Sequence, residues 1–144
     1  NARDLVDLSP RLKKLPVDIV MDHMGYMSVD HGIDHPGFQT LLDLIKGGAW
    51  VKLSGNYRIS KEGPPYRDAI PFAQALIKTS PQRVVWGADW PHPALQSAMP
   101  NDADLLNALD DWELDEAERH AILVANSAML HGFDDAMSSE LAAA

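Results

Sequence analysis

Three short apolar runs constrain this chain more than any other feature. They are Val17-Asp18-Ile19-Val20-Met21, Ala49-Trp50-Val51-Lys52-Leu53 and Arg83-Val84-Val85-Trp86. Each is rich in β-branched or aromatic residues, and none alternates cleanly between apolar and polar, the pattern of strands covered on both faces. Measured from Asp18, Trp50 and Arg83, the runs repeat at 32 and 33 residues. That is the length of one strand-helix unit in a parallel sheet.

The segments between the runs read as helices. Residues 36–46 place apolar side chains at Phe38, Leu41, Leu42 and Ile45 and stop at Gly47-Gly48. Residues 66–78 carry Tyr66, Ala69, Ile70, Ala73, Leu76 and Ile77 and stop at Ser80-Pro81. Beyond the third run, 102–112 puts Leu105, Leu106 and Leu109 on one face, and 115–125 opens with Asp115 and Glu118 at capping-box spacing. Residues 2–15 read as a helix feeding the first strand, with Pro10 interrupting it. The order α-β-α-β-α-β-α-α fits an α/β fold: a small open sheet, or three units of a (β/α)8 barrel, which needs ~250 residues in all. Residues 1–133 are expected to form this one domain, and 134–144, poor in large apolar side chains, to be a disordered tail.

Composition removes several classes of function. With 12 Lys and Arg against 21 Asp and Glu the net charge is −9, and no basic cluster offsets it, so neither nucleic acid nor an anionic membrane surface is an expected partner. The absence of cysteine excludes disulfides, thiolate nucleophiles and Cys-ligated metals. No apolar run reaches the ~20 residues that span a bilayer. No signal-peptide pattern opens the chain at Asn1-Ala2-Arg3-Asp4, so the expected location is the cytoplasm.

The chemistry is concentrated where each run ends. The first exits into Asp22-His23-Met24-Gly25, the second into Ser54-Gly55-Asn56-Tyr57-Arg58, the third into Gly87-Ala88-Asp89-Trp90-Pro91-His92-Pro93. Parallel strands share one carboxyl-end rim, where α/β folds build their sites, so His23, Arg58, Asp89 and His92 can converge there. A carboxylate at such a rim can activate water, an imidazole can polarise a carbonyl or hold a metal, and an arginine can grip a carboxylate. Together they suggest hydrolysis of an acidic carbonyl compound. Each also has a plain reading: His23 as the cap of a strand, Arg58 as a surface arginine, His92 as a rigid residue between two prolines. Asp89, at the end of a run that reads as buried, most needs a purpose. His31 and His35 read as members of a solvated loop rather than a metal pair, and His120 and His131 receive no role. Lys52, inside a strand, either points into the barrel or pairs with a carboxylate.

Asp22-His23-Met24-Gly25, Val51-Lys52-Leu53-Ser54-Gly55 and Val85 to Pro93, in this order and spacing, resemble the amidohydrolase-related family of (β/α)8 barrels. Within it they resemble the branch of the 2-pyrone-4,6-dicarboxylate lactonases, as do Tyr66-Arg67-Asp68 and the ending Asn126 to Phe133. The resemblance implies the C-terminal part of such a barrel, about its last three βα units. It implies that Asp89 corresponds to the aspartate that activates water and His23 to a histidine that polarises the lactone carbonyl. Arg58 corresponds to an arginine that binds a substrate carboxylate, and His92 to a pocket residue. No cofactor is implied. The reaction would open a carboxylated pyrone lactone to an unsaturated polycarboxylate in bacterial catabolism of lignin-derived aromatics.

The chain departs from that pattern twice. No His-x-His, the family's first-strand motif, occurs in it, and Tyr26 stands where the lactonases have an arginine. Tyr26 is therefore a candidate substrate-binding residue that leaves room for a different lactone. Two alternatives remain open. One is a metal-dependent amidohydrolase or sugar lactonase with a divalent ion such as zinc on His23 and Asp89. The other is an inactive truncated half-barrel. Such a piece exposes sheet edges and an apolar inner face, so its expected partners are a missing N-terminal half-barrel or further copies of itself.

Overall fold

In the computed structural model, which describes residues 1–93, 95 and 99–133, three parallel strands lie in the order β1-β2-β3. They are β1 (Val20–Met21), β2 (Trp50–Leu53) and β3 (Val84–Trp86). Val20 pairs with Trp50, and Val51, Lys52 and Leu53 pair with Val84, Val85 and Trp86. β2 is central. Its Val51 and Leu53 join Val84 in the helical core, while the alternating positions Trp50, Lys52 and Val85 serve the other face. The Arg83 guanidinium lies 4.7 Å from the Trp50 ring centre.

The run expected at 17–21 is ordered as a strand only at its last two residues. Val17 and Val20 are exposed, so β1 is a bare edge and not a strand covered on both faces. The opening helix is a 3-10 turn (Ala2–Asp4) running into α1 (Leu5–Leu12). Pro10 sits inside α1 on its exposed side and does not interrupt it; the carbonyl left without a donor belongs to half-exposed Val6.

α2 (Pro36–Lys46) follows the expected boundaries. His35 Nδ1 caps it by accepting from Gly37 N–H, and Phe38, Leu41, Leu44 and Ile45 are buried. Gly37 is obligatory, because a Cβ there would lie 2.3 Å from the Ala2 carbonyl oxygen. α4 (Ile70–Thr79) starts later than the apolar pattern suggests, since Pro71 lacks an N–H and belongs in a first turn. Its Phe72 meets Phe38 edge-on, with ring centres 4.8 Å apart. α5 (Asp102–Asn107) continues as a 3-10 turn to Trp112. α6 (Glu116–His120) carries the Asp115–Glu118 capping box and passes through one π turn (Ala121–Ala125) into α7 (Asn126–His131). α3 (Asn56–Ile59), a single turn after β2, was not expected from the sequence. The tail expected to be disordered, 134–144, lies outside the described residues. No helix among them is long and apolar enough to cross a membrane.

Candidate active site

The three strand exits meet on one rim. After β1 the backbone bends at once: Asp22 is extended, and His23, Met24 and Tyr26 all take left-handed conformations. This throws the His23 ring back across the rim towards β2. Gly55 lets it approach, for a Cβ there would press on His23 Nδ1 at 3.1 Å and on Arg58 Cδ at 3.2 Å. Gly55 is itself left-handed (φ 65°) and starts α3, the turn that presents Tyr57 and Arg58 inward. After β3, Asp89 is again left-handed (φ 71°), as is His92 (φ 55°). Such residues persist only where their surroundings hold them, and here they cluster on the rim.

His23 and Asp89, 66 residues apart in sequence, face each other with Nε2 3.7 Å from Oδ1. Ser54 Oγ lies 2.9 Å from His23 Nδ1. With the Ser54 hydroxyl donating to Nδ1, the ring proton sits on Nε2; the opposite tautomer would turn a bare lone pair towards a carboxylate. The other oxygen of Asp89 is fully engaged. Oδ2 accepts from the Tyr57 hydroxyl at 2.6 Å and from Arg58 Nε at 2.5 Å. Arg58 also donates from Nη2 to the Pro93 carbonyl at 2.9 Å, so part of its fork is spent inside the protein.

The other predicted residues fall near this pair at different depths. The His92 side chain is buried and reaches the Asp89 carboxylate through Tyr57, with Nδ1 3.0 Å from the phenol oxygen and Nε2 2.8 Å from Asp102 Oδ1. Tyr26 is half-exposed, its ring centre 5.8 Å from that of His23. Lys52 pairs with a carboxylate, its ammonium 2.7 Å from Asp22 Oδ1. The rings of His31 and His35 lie 5.2 Å apart, tilted at 58°, in the loop before α2, where His35 is a helix cap. Tyr57, Ser54 and Asp102 were not singled out in the sequence. Tyr57 sits between two candidates and shows no signal until α3 is known to turn it inward.

The charges reinforce one another. Burial pushes the Asp89 carboxyl up, but the Tyr57 hydroxyl and Arg58, helped by His23, pull it net below the usual carboxylate range. Burial holds His23 below the ordinary histidine value despite Asp89 and Asp22, so the ring is neutral at pH 7. Burial and the Asp89 hydrogen bond raise Tyr57 well above a free phenol, which keeps its proton in place. A base, a neutral N–H donor and a fixed cation therefore share one rim, while a cavity of about 580 Å3 opens at the opposite ends of the strands between Leu15, Val17, Asp18, Ala49 and Arg83.

An ion held by His23 and Asp89 would need ligands beyond these two. Among the described residues no group of three or more His, Asp or Glu side chains is placed to hold one. On Asp89, the Arg58 guanidinium already supplies the positive charge that an ion would bring.

The amidohydrolase family matches residues 1–133 of the chain. The 4-sulfomuconolactone hydrolase of Hydrogenophaga intermedia is 43% identical over 128 residues, which span 87% of this chain and 42% of that protein. The D-galactarolactone isomerase of Agrobacterium fabrum is 38% identical over 125 residues, 85% of this chain and 43% of that protein. A solved structure from Acinetobacter baumannii, named a probable 2-pyrone-4,6-dicarboxylic acid hydrolase and holding citric acid, is 30% identical with a TM-score of 0.78, over 92% of this chain and 50% of that one. The chain thus spans about half the length of the proteins it matches.

Proposed function

The chain belongs to the amidohydrolase family, its three βα units forming part of a (β/α)8 barrel, and on that premise we propose that the whole protein hydrolyses the ring ester of a carboxylated lactone. The single observation that carries this reading is the asymmetry of Asp89: Oδ2 is saturated by Tyr57 and Arg58, while Oδ1 is left for a water molecule beside the Nε2–H of His23. In the proposed reaction Asp89 Oδ1 takes a proton from water as the water oxygen bonds to the lactone carbonyl carbon. His23 Nε2–H donates to the carbonyl oxygen, where negative charge develops. The ring C–O bond then breaks, and the proton held by Asp89 passes to the leaving oxygen. Arg58 and the neighbouring Tyr26 are assigned to a substrate carboxylate.

Relatives that open a sulfomuconolactone and a pyrone dicarboxylate support a planar, acidic lactone as substrate. A second reading, a sugar lactone, is favoured by the isomerase among the relatives and by Tyr26 in place of an arginine. The test is steady-state hydrolysis of 2-pyrone-4,6-dicarboxylate and of an aldarolactone by the whole protein, wild type and Asp89→Asn. Loss of turnover in the variant, on whichever lactone the wild type opens, is the expected result. An Asp89→Asn enzyme with undiminished kcat refutes the role given to Asp89.

A further inference from the structure

The geometry points to Tyr57, His92 and Asp102 as a positioning chain behind Asp89, one that fixes which carboxylate oxygen acts as the base. The inference rests on the reading of Asp89 as that base and adds three residues to it.

A carboxylate free to turn offers either oxygen to water. Here Oδ2 is held by two donors, and one of them, the Tyr57 hydroxyl, is itself held from behind. Tyr57 has one hydroxyl proton and gives it to Asp89, so its oxygen accepts from His92 Nδ1–H at 3.0 Å. The two rings also meet edge to face, 5.5 Å between centres at 68°. The second nitrogen of His92 donates to Asp102 Oδ1 at 2.8 Å, so in this row the ring carries both protons and the Asp102 carboxylate offsets its charge. Its backbone N–H donates to the Asp89 carbonyl at 2.7 Å, which ties the end of the chain back to the residue it serves. The His92 side chain is 1% exposed and that of Asp102 47%, so the row runs from solvent through a buried imidazole to the rim. The Tyr57 ring stands between the His92 side chain and the Asp89 carboxylate on the rim. The imidazole acts through Tyr57, as a positioning residue and not as part of the pocket wall.

A buried polar cluster of this kind can also be merely structural, and kinetics separates the two. With the whole protein and a lactone that it hydrolyses, Tyr57→Phe and His92→Ala are expected to lower kcat about 10–100-fold, the cost of a misplaced reacting group, with KM within about 2-fold. His92→Asn, which keeps an amide N–H near the Nδ1 position, is expected to recover part of the His92→Ala loss. Asp102→Asn, changed at the exposed end, reads the chain without opening a cavity should His92→Ala fail to fold, and is expected to lower kcat by less than Tyr57→Phe. Wild-type kcat in Tyr57→Phe and Asp102→Asn overturns the inference, as does a raised KM at unchanged kcat, which would mean substrate contact. Asp89→Asn separates this from the reading beneath it: if that variant is dead while Tyr57→Phe is fully active, only the positioning chain falls.

Discussion

At the scale of single residues, the proposed reaction depends on one neutral histidine and one ionised aspartate held 3.7 Å apart. This sets the pH dependence. Protonated His23 would close on Asp89 Oδ1 as an ion pair and occupy the base, so activity needs neutral His23. Its value is lowered by burial, so this loss comes as pH falls below the ~6.5 of an ordinary histidine. The carboxylate, lowered by Tyr57 and Arg58, stays ionised to lower pH still. The expected profile of kcat/KM is level from about pH 8 to pH 6.5 and falls only below that; an acid inflection above ~6.5 contradicts the assignment. Arg58→Met removes a donor to Asp89 and a candidate grip on the substrate together. It is expected to raise KM and to lower kcat as well, and a change in KM alone would show that the Arg58–Asp89 contact contributes nothing to turnover. His23, Arg58, Asp89 and His92 were legible as rim residues because each follows an apolar run. That His92 faces inward and Tyr57 joins Asp89 was not, because both depend on the left-handed turns at 89 and 92 and on the single turn of α3.

At the scale of elements, the rim stays in place because the helices behind it are anchored at a few polar points. Asn126 is one. It is buried at the start of α7, and its Nδ2 donates to the carbonyls of Pro81 at 2.8 Å and Val84 at 2.7 Å, pinning the last helix to the entrance of β3. Asn126→Ala leaves two carbonyls short of a donor and is expected to cost about 2–3 kcal/mol, read as a shift of the urea midpoint at constant slope. A midpoint within experimental error of wild type would mean that the α7–β3 junction is held by apolar packing alone. The periodic elements were readable: α2 to the residue and the Asp115–Glu118 cap at the right place. The failures have local causes. Pro71 delays α4. β1 shrinks to two residues because it has a neighbour on one side only. α3 is too short to show a period.

At the scale of the whole molecule, the open side of β1 carries the consequence. A parallel strand is normally buried on both faces and paired on both edges, yet among the described residues β1 pairs only with β2. Near it Leu15, Val17 and Val20 are 50%, 66% and 42% exposed, and on the rim Trp90 is 75% exposed. The relatives of twice the length extend well beyond the part matched here, and the occupant proposed for this edge is the complementary half of the barrel. A net charge of −9 opposes indiscriminate clumping, but it cannot satisfy an unpaired backbone edge. The 144-residue chain purified alone is therefore expected to run above its 15.8 kDa monomer mass in size-exclusion chromatography with light scattering, and to bind a dye specific for exposed apolar surface. Co-expression with a segment supplying the preceding strands should abolish both signs. A monomer that melts in one sharp, reversible transition and leaves the dye dark would show that three βα units close their own core, and the half-barrel partner would have to be given up.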